Sequence, residues 1–164
     1  MAFVSRNRAA PRQRADGRIV CRSCYEGENI MSAPAIRLAF FKLGVSNMEK
    51  ALAFYQEAFG FSVKMTFDEP DFIEHIMALP GQEAGPNLLL LQYKDGRHTI
   101  PGNAYGPVGF MVEDMDATYQ AALEAGGTAL LEPFVMDGTR VATLQDPEGH
   151  EIELVQPVPA EDVR

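Results

Sequence analysis

The side chains best able to hold a metal or carry redox chemistry in this 164-residue chain are two cysteines and three histidines. Cys21-x-x-Cys24 has the spacing of half a zinc site, but no second pair follows it. A redox pair with this spacing opens a helix after a strand, and no helix is predicted there. His75, His98 and His150 fall on a middle strand, in a connector and at the start of a last strand, with no local ligand spacing among them. Arg140, on a predicted strand, either meets an acidic ligand group or is solvated.

The elements that must position any site are announced by an internal repeat. Val45-Ser46-Asn47-Met48-Glu49 matches Val112-Glu113-Asp114-Met115-Asp116 at an offset of 67 residues, and at that offset Ala58 meets Ala125 and Gly60 meets Gly127. Each copy opens on a short apolar run, Leu38 to Val45 and Val108 to Val112, long enough for a strand and too short for a helix. A helix is predicted after each run. Ser46 or Asn47 caps the first, Glu49 lies in its opening turn, and Met48, Leu52, Tyr55 and Phe59 make one apolar face before Gly60 ends it. Asp114 caps the second, Met115, Tyr119, Ala122 and Leu123 form its face, and Gly126-Gly127 stop it. Three strands are predicted after each helix: 61–68, 71–78 and 87–93, then 128–135, 139–145 and 150–156. Asp137-Gly138 is a hairpin signal, and Asp146-Pro147-Glu148-Gly149 is a turn signal. The class is α+β, with two tandem βαβββ modules; each sheet packs its helix on one face and needs cover on the other.

Composition bounds what such a domain does. At 46% hydrophobic residues the chain can bury a core without disulfides or metal staples. It has no run of about 18 apolar residues, which excludes a helical membrane span. The net charge is −9, yet residues 1–30 carry six Arg against three acids, a local +3, so the other 134 residues carry −12. An acidic body argues against nucleic acid and against an anionic membrane surface as partners. Residues 1–30 read as a disordered, Arg-rich tail. Its Arg content resembles an organelle transit peptide but no cleavage site follows, and Met31-Ser32-Ala33-Pro34 reads as a natural start. The domain is expected over 31–164, with module one at 36–94 and module two at 105–157. The polar connector Asp95 to Tyr105 is a lid or a simple joint. The cysteine usage fits a reducing, cytoplasmic compartment.

Four stretches carry a resemblance: Val45-Ser46-Asn47-Met48-Glu49-Lys50-Ala51-Leu52-Ala53-Phe54-Tyr55; Phe59-Gly60-Phe61; Gly106-Pro107-Val108-Gly109-Phe110-Met111-Val112; and Asp146-Pro147-Glu148-Gly149-His150-Glu151-Ile152-Glu153-Leu154. Over about residues 36–157 the chain resembles the vicinal oxygen chelate superfamily, which includes glyoxalase I, bleomycin- and fosfomycin-resistance proteins and extradiol dioxygenases. The resemblance implies that the two modules form a curved, mainly antiparallel sheet around a central cavity, and that two chains pair as a homodimer. It also implies a metal site with one ligand from the first and last strand of each module. Those positions fall here on Phe40, on Leu89 or Leu90, on Pro107 and on Glu153. Only Glu153 has a lone pair to offer, and a catalytic metal needs about three protein ligands. The expectation is therefore no metal and no other cofactor.

Alternation along the strands, anchored on this resemblance, lists the residues facing the cavity. They are Leu38, Phe40 and Lys42, then Leu90 and Gln92, then Pro107, Gly109 and Met111, then Glu151, Glu153 and Val155. The lining is mostly apolar, as in a site for a small organic molecule. Glu153 is the candidate catalytic residue: a partly desolvated carboxylate able to abstract a proton next to a carbonyl. Alternatively it is a leftover ligand paired with Lys42 or Gln92. Lys42 either neutralises Glu153 or holds an anionic substrate. The resemblance thus implies a protein that binds a small, partly apolar molecule, as metal-free bleomycin-resistance proteins do, and the acidic body suits a cationic one. The alternatives are a glyoxalase-type lyase or isomerase using Glu153 as general base, or one using it as a residual metal ligand.

Overall fold

The computed structural model describes residues 37–158, so the tail at 1–30 and the Cys21/Cys24 pair lie outside the described residues. The chain runs through ten elements: β1 (Phe40–Gly44), α1 (Met48–Phe59), β2 (Ser62–Asp68), β3 (Phe72–Ala78), β4 (Asn87–Tyr93), β5 (Val108–Met111), α2 (Met115–Glu124), β6 (Thr128–Met136), β7 (Thr139–Gln145) and β8 (Glu151–Pro157). This is the α+β, twice-repeated βαβββ arrangement that the sequence predicts.

Helix ends follow side-chain chemistry. The Asn47 side chain accepts a hydrogen bond from the Lys50 N–H, and the Asp114 side chain accepts one from the Ala117 N–H. Each helix start is also held from outside by a glutamine. Gln92 Oε1 accepts from the Met48 N–H at 2.9 Å while its Nε2 donates to the Ser46 carbonyl at 2.9 Å. Gln156 repeats this in module two, with the Met115 N–H at 3.2 Å and the Glu113 carbonyl at 2.6 Å. Gly60 ends α1 at φ 72°, a left-handed conformation that costs a side chain about 1 kcal/mol or more. Asp137-Gly138 turn the β6–β7 hairpin with φ of 48° and 77°.

The strands form two four-stranded sheets, ordered β1-β4-β3-β2 and β5-β8-β7-β6, not closed into a barrel. In each, the first strand runs parallel to the last, and the other pairs are antiparallel. One hydrophobic core joins both helices to the helix-facing side of both sheets, through Phe54, Tyr55, Met77, Leu90, Met115, Leu144, Ile152 and Leu154. Phe110 of module two packs against Phe59 and Phe61 of module one, with ring centroids at 4.9 and 5.8 Å. A buried polar link crosses the same junction: the Tyr55 hydroxyl donates to Asp146 Oδ2 at 2.9 Å. The opposite face of each sheet is open. Phe40, Met65 and Phe67 in module one and Met111, Leu131, Phe134 and Met136 in module two are all exposed.

Candidate functional site

The open faces carry the polar groups that an otherwise apolar surface would use. On β1, Phe40 and Lys42 stand opposite Asn87 and Leu89 of β4. On β3, Glu74 stands between Phe67 of β2 and Leu91 of β4. Glu74 is only 7% exposed, and its carboxylate forms an ion pair with Lys42 Nζ. The lysine side chain is 39% exposed, so the ammonium is the outward end of the pair. It also lies 5.6 Å from the centroid of the Phe40 ring. Sequence reasoning missed Glu74. Its signal was an acidic residue inside an apolar strand, and nothing local marked which face it took.

Module two presents the matching face. Gly109 and Met111 stand opposite Glu153 and Val155, and Glu153 stands opposite Thr143. Glu153 is partly exposed and has no ion-pair or hydrogen-bond partner among the described residues. The expected pairing of Glu153 with Lys42 or Gln92 is therefore not present within the chain: Lys42 pairs with Glu74, and Gln92 bonds the start of α1. Glu151 is exposed on the same face of β8, and Pro107 precedes β5.

Two expected lining residues are on the other face. Leu90 pairs with Leu43 and is fully buried in the helix-side core, and Gln92 turns toward α1. Their neighbours Leu89 and Leu91 take the open face instead. The reason is the period of two: a register read one residue out exchanges the faces of the whole strand. The internal repeat settles the matter. Gln92 and Gln156 perform the same cap, so Leu89, three residues before the first, corresponds to Glu153, three before the second. Leu38 is exposed ahead of β1.

His150, which the sequence places at the start of the last strand, directly precedes β8. It is not a surface residue but is 13% exposed, with Nδ1 2.8 Å from Asp146 Oδ2. Asp146 Oδ1 accepts the backbone N–H groups of Glu148 and His150, both at 2.9 Å. Burial alone would push the Asp146 carboxyl up, but the hydrogen bonds and charge of His150 outweigh it and hold it below its ordinary value. Burial, and then the negative charge of Asp146, pushes the Tyr55 phenol well above its ordinary value. This network, with Glu148 Oε2 accepting the Ser46 N–H at 2.7 Å, ties module two to module one and is structural. Arg140 pairs with Asp116 of α2 at 2.6 Å and stands opposite Gln156, on the helix-facing side of its sheet. His75 bonds Thr66 at 2.8 Å.

A cleft of about 630 Å³ opens where the modules meet, bordered by Phe41, Phe61, Asn87, Phe110 and Met111. Of the expected ligand-facing residues only Gly109 and Met111 border it. Among the described residues, no three His, Cys, Asp or Glu side chains come together to hold a metal ion.

Residues 37–154 match the family described as the Glyoxalase/Bleomycin resistance protein/Dioxygenase superfamily, and the chain belongs to that family. It is 29% identical over 119 residues to lactoylglutathione lyase from Haemophilus influenzae, covering 70% of this chain and 87% of that one. It is 31% identical over 124 residues to a probable lactoylglutathione lyase from Vibrio cholerae, covering 73% and 90%. Among solved structures it resembles a glyoxalase I mutant from Zea mays, with TM-score 0.67 and 25% identity, covering 72% of this chain and 45% of that chain. The chain thus spans less than half of the maize protein. A glyoxalase family protein from Bacillus cereus shares the fold, with TM-score 0.65 and 18% identity, covering 80% and 100%.

Proposed function

We propose that this chain binds a small, partly apolar organic molecule against its open sheet faces, with the metal site of its family given up. The observation that carries this is the identity of four positions. Phe40, Leu89 and Pro107 have no donor, and Glu153 alone does. One carboxylate does not fit a divalent ion, which needs about three protein ligands. What these faces offer instead is apolar surface with a few fixed polar groups, the make-up of an organic-ligand site.

Within one chain both open faces look to solvent, and exposed apolar surface on this scale marks an interaction site. The reading is a homodimer in which the open face of module one closes on the open face of module two of a second copy. The ligand lies between them. Such a protein would work in the cytoplasm, without nucleic acid or membrane as partner. Binding raises the thermal midpoint in proportion to the logarithm of ligand concentration. A library of small organic molecules should contain compounds that do so; a library in which none does would sink the reading.

A second reading keeps catalysis. It is favoured by the unpaired Glu153 carboxylate on an open face and by relatives named as lactoylglutathione lyases. Glu153 would take a proton from a carbon next to a carbonyl, as a glyoxalase-type lyase or isomerase, or would serve as a residual metal ligand. Assay of lactoylglutathione formation, with and without added zinc or nickel, tests it. Glu153→Gln should abolish any turnover and leave the fold intact; unchanged turnover would remove Glu153 from the chemistry.

A further inference from the structure

We infer that Lys42, anchored by Glu74, is the recognition group of the ligand site, and that it selects a monocarboxylate with an apolar body. The inference rests on the proposed pocket and names the ligand class for it.

The fold does not ask for this ion pair. Replacing a buried pair with apolar residues of similar volume is often neutral or stabilising, so a buried carboxylate on an apolar face calls for another reason. The geometry supplies one. Glu74 is buried between Phe67 and Leu91, while the Lys42 ammonium stands at the surface of the same face. The carboxylate holds the ammonium at the face, with the Phe40 ring centroid 5.6 Å from it. An ammonium has three N–H donors, and Glu74 is its one polar partner among the described residues. Donors remain for a ligand.

The surroundings decide the ligand. Phe40, Phe67 and Leu91 make the immediate wall apolar, so the site receives an apolar body. In such a wall a carboxylate meeting the ammonium forms a charge-assisted hydrogen bond, stronger than the bond its amide could make. Lysine is a point charge rather than a planar fork, so it tolerates acids with differently shaped bodies. Glu153, on the facing wall, has no cation of its own and repels a second acidic group. The net charge of −9 opposes anions at long range, but that field is screened beyond about 8 Å at physiological salt. Contact with Lys42 sets the preference.

Isothermal titration calorimetry on the full chain tests this with octanoate and phenylacetate, their amides, and the diacid octanedioate. The monoacids should bind at least tenfold more tightly than the amides and the diacid. Lys42→Met alone leaves Glu74 buried without its partner, so the double variant Lys42→Met/Glu74→Gln is the sound comparison. In it the monoacids should lose at least tenfold and the amides should be unchanged. Amides that bind the native chain as well as acids, or a double variant that keeps the acid preference, would overturn the inference and leave the pocket standing. No binding by either series would overturn the inference, and a compound library that fails to raise the thermal midpoint would overturn the pocket with it.

Discussion

Leu89 holds in module one the place that Glu153 holds in module two: Leu89 stands opposite Lys42 across β1 and β4 as Glu153 stands opposite Gly109 across β5 and β8. The repeat has kept the backbone of both half-sites and the carboxylate of only one. Restoring donors should restore a metal. The triple variant Phe40→His, Leu89→Glu, Pro107→His, with native Glu153, supplies four ligands of the right type. It should retain zinc or nickel through dialysis. A variant that folds and dimerises yet retains none would mean that these four positions do not converge.

Asp146 accepts hydrogen bonds from Tyr55, Glu148 and His150 while almost fully buried. Asp146→Asn removes the charge these donors are arranged around, and chemical denaturation should show a loss of about 2–4 kcal/mol. The carboxyl is held below its ordinary value in the folded chain, so it contributes stability above the unfolded-state value and loses it as pH falls. The thermal midpoint of the native chain should therefore drop below about pH 4, near the ordinary aspartate pKa. In the asparagine variant that part of the drop should be absent. An equal acid dependence in both proteins would assign it to other carboxyls.

Gly127 packs where a side chain has no room. A Cβ there would lie 2.8 Å from the Ala122 carbonyl oxygen and 3.2 Å from that of Gln145. Both contacts are backbone, so neither yields by a rotamer change. Gly127→Ala should cost about 1–3 kcal/mol in a denaturant titration. A neutral effect would mean that the α2–β6 junction moves freely.

Gly127 shows what the sequence disclosed and what it hid. The spacing of Tyr119, Ala122 and Gly126-Gly127 announced the helix and its end, but not that Gly127 is fixed by contact with β7. The modules, both caps and the Asp137-Gly138 hairpin were legible because each depends on local chemistry. The face of β4 was not. Leu88, Leu89, Leu90 and Leu91 give no alternation, because that strand carries leucine on both of its faces. Leu90 and Gln92 were accordingly placed toward the ligand; the burial of Leu90 in the helix-side core and the cap made by Gln92 give the other face to Leu89 and Leu91. Glu74 and Asp146 were hidden for a related reason. Their partners, Lys42 and Tyr55, are 32 and 91 residues away, and long-range pairing leaves no local trace.

The dimer reading gives its own test. Met65 in module one and Phe134 in module two are exposed on the open faces, at 52% and 39%. Met65→Lys/Phe134→Lys should convert a sedimenting dimer to monomer and abolish ligand-induced stabilisation, with circular dichroism unchanged. Lysine at both positions places like charges in the closing faces, with little effect on a surface already wet in the single chain. A dimer that persists would place the interface elsewhere.

Metal content of the untagged, purified chain decides whether the family's metal site has been given up. After incubation with zinc, nickel, manganese or iron(II) and removal of excess ion, elemental analysis should find well under one ion per chain. Near-stoichiometric metal would show that Glu153 has ligand partners other than Phe40, Leu89 and Pro107, and would contradict a metal-free site.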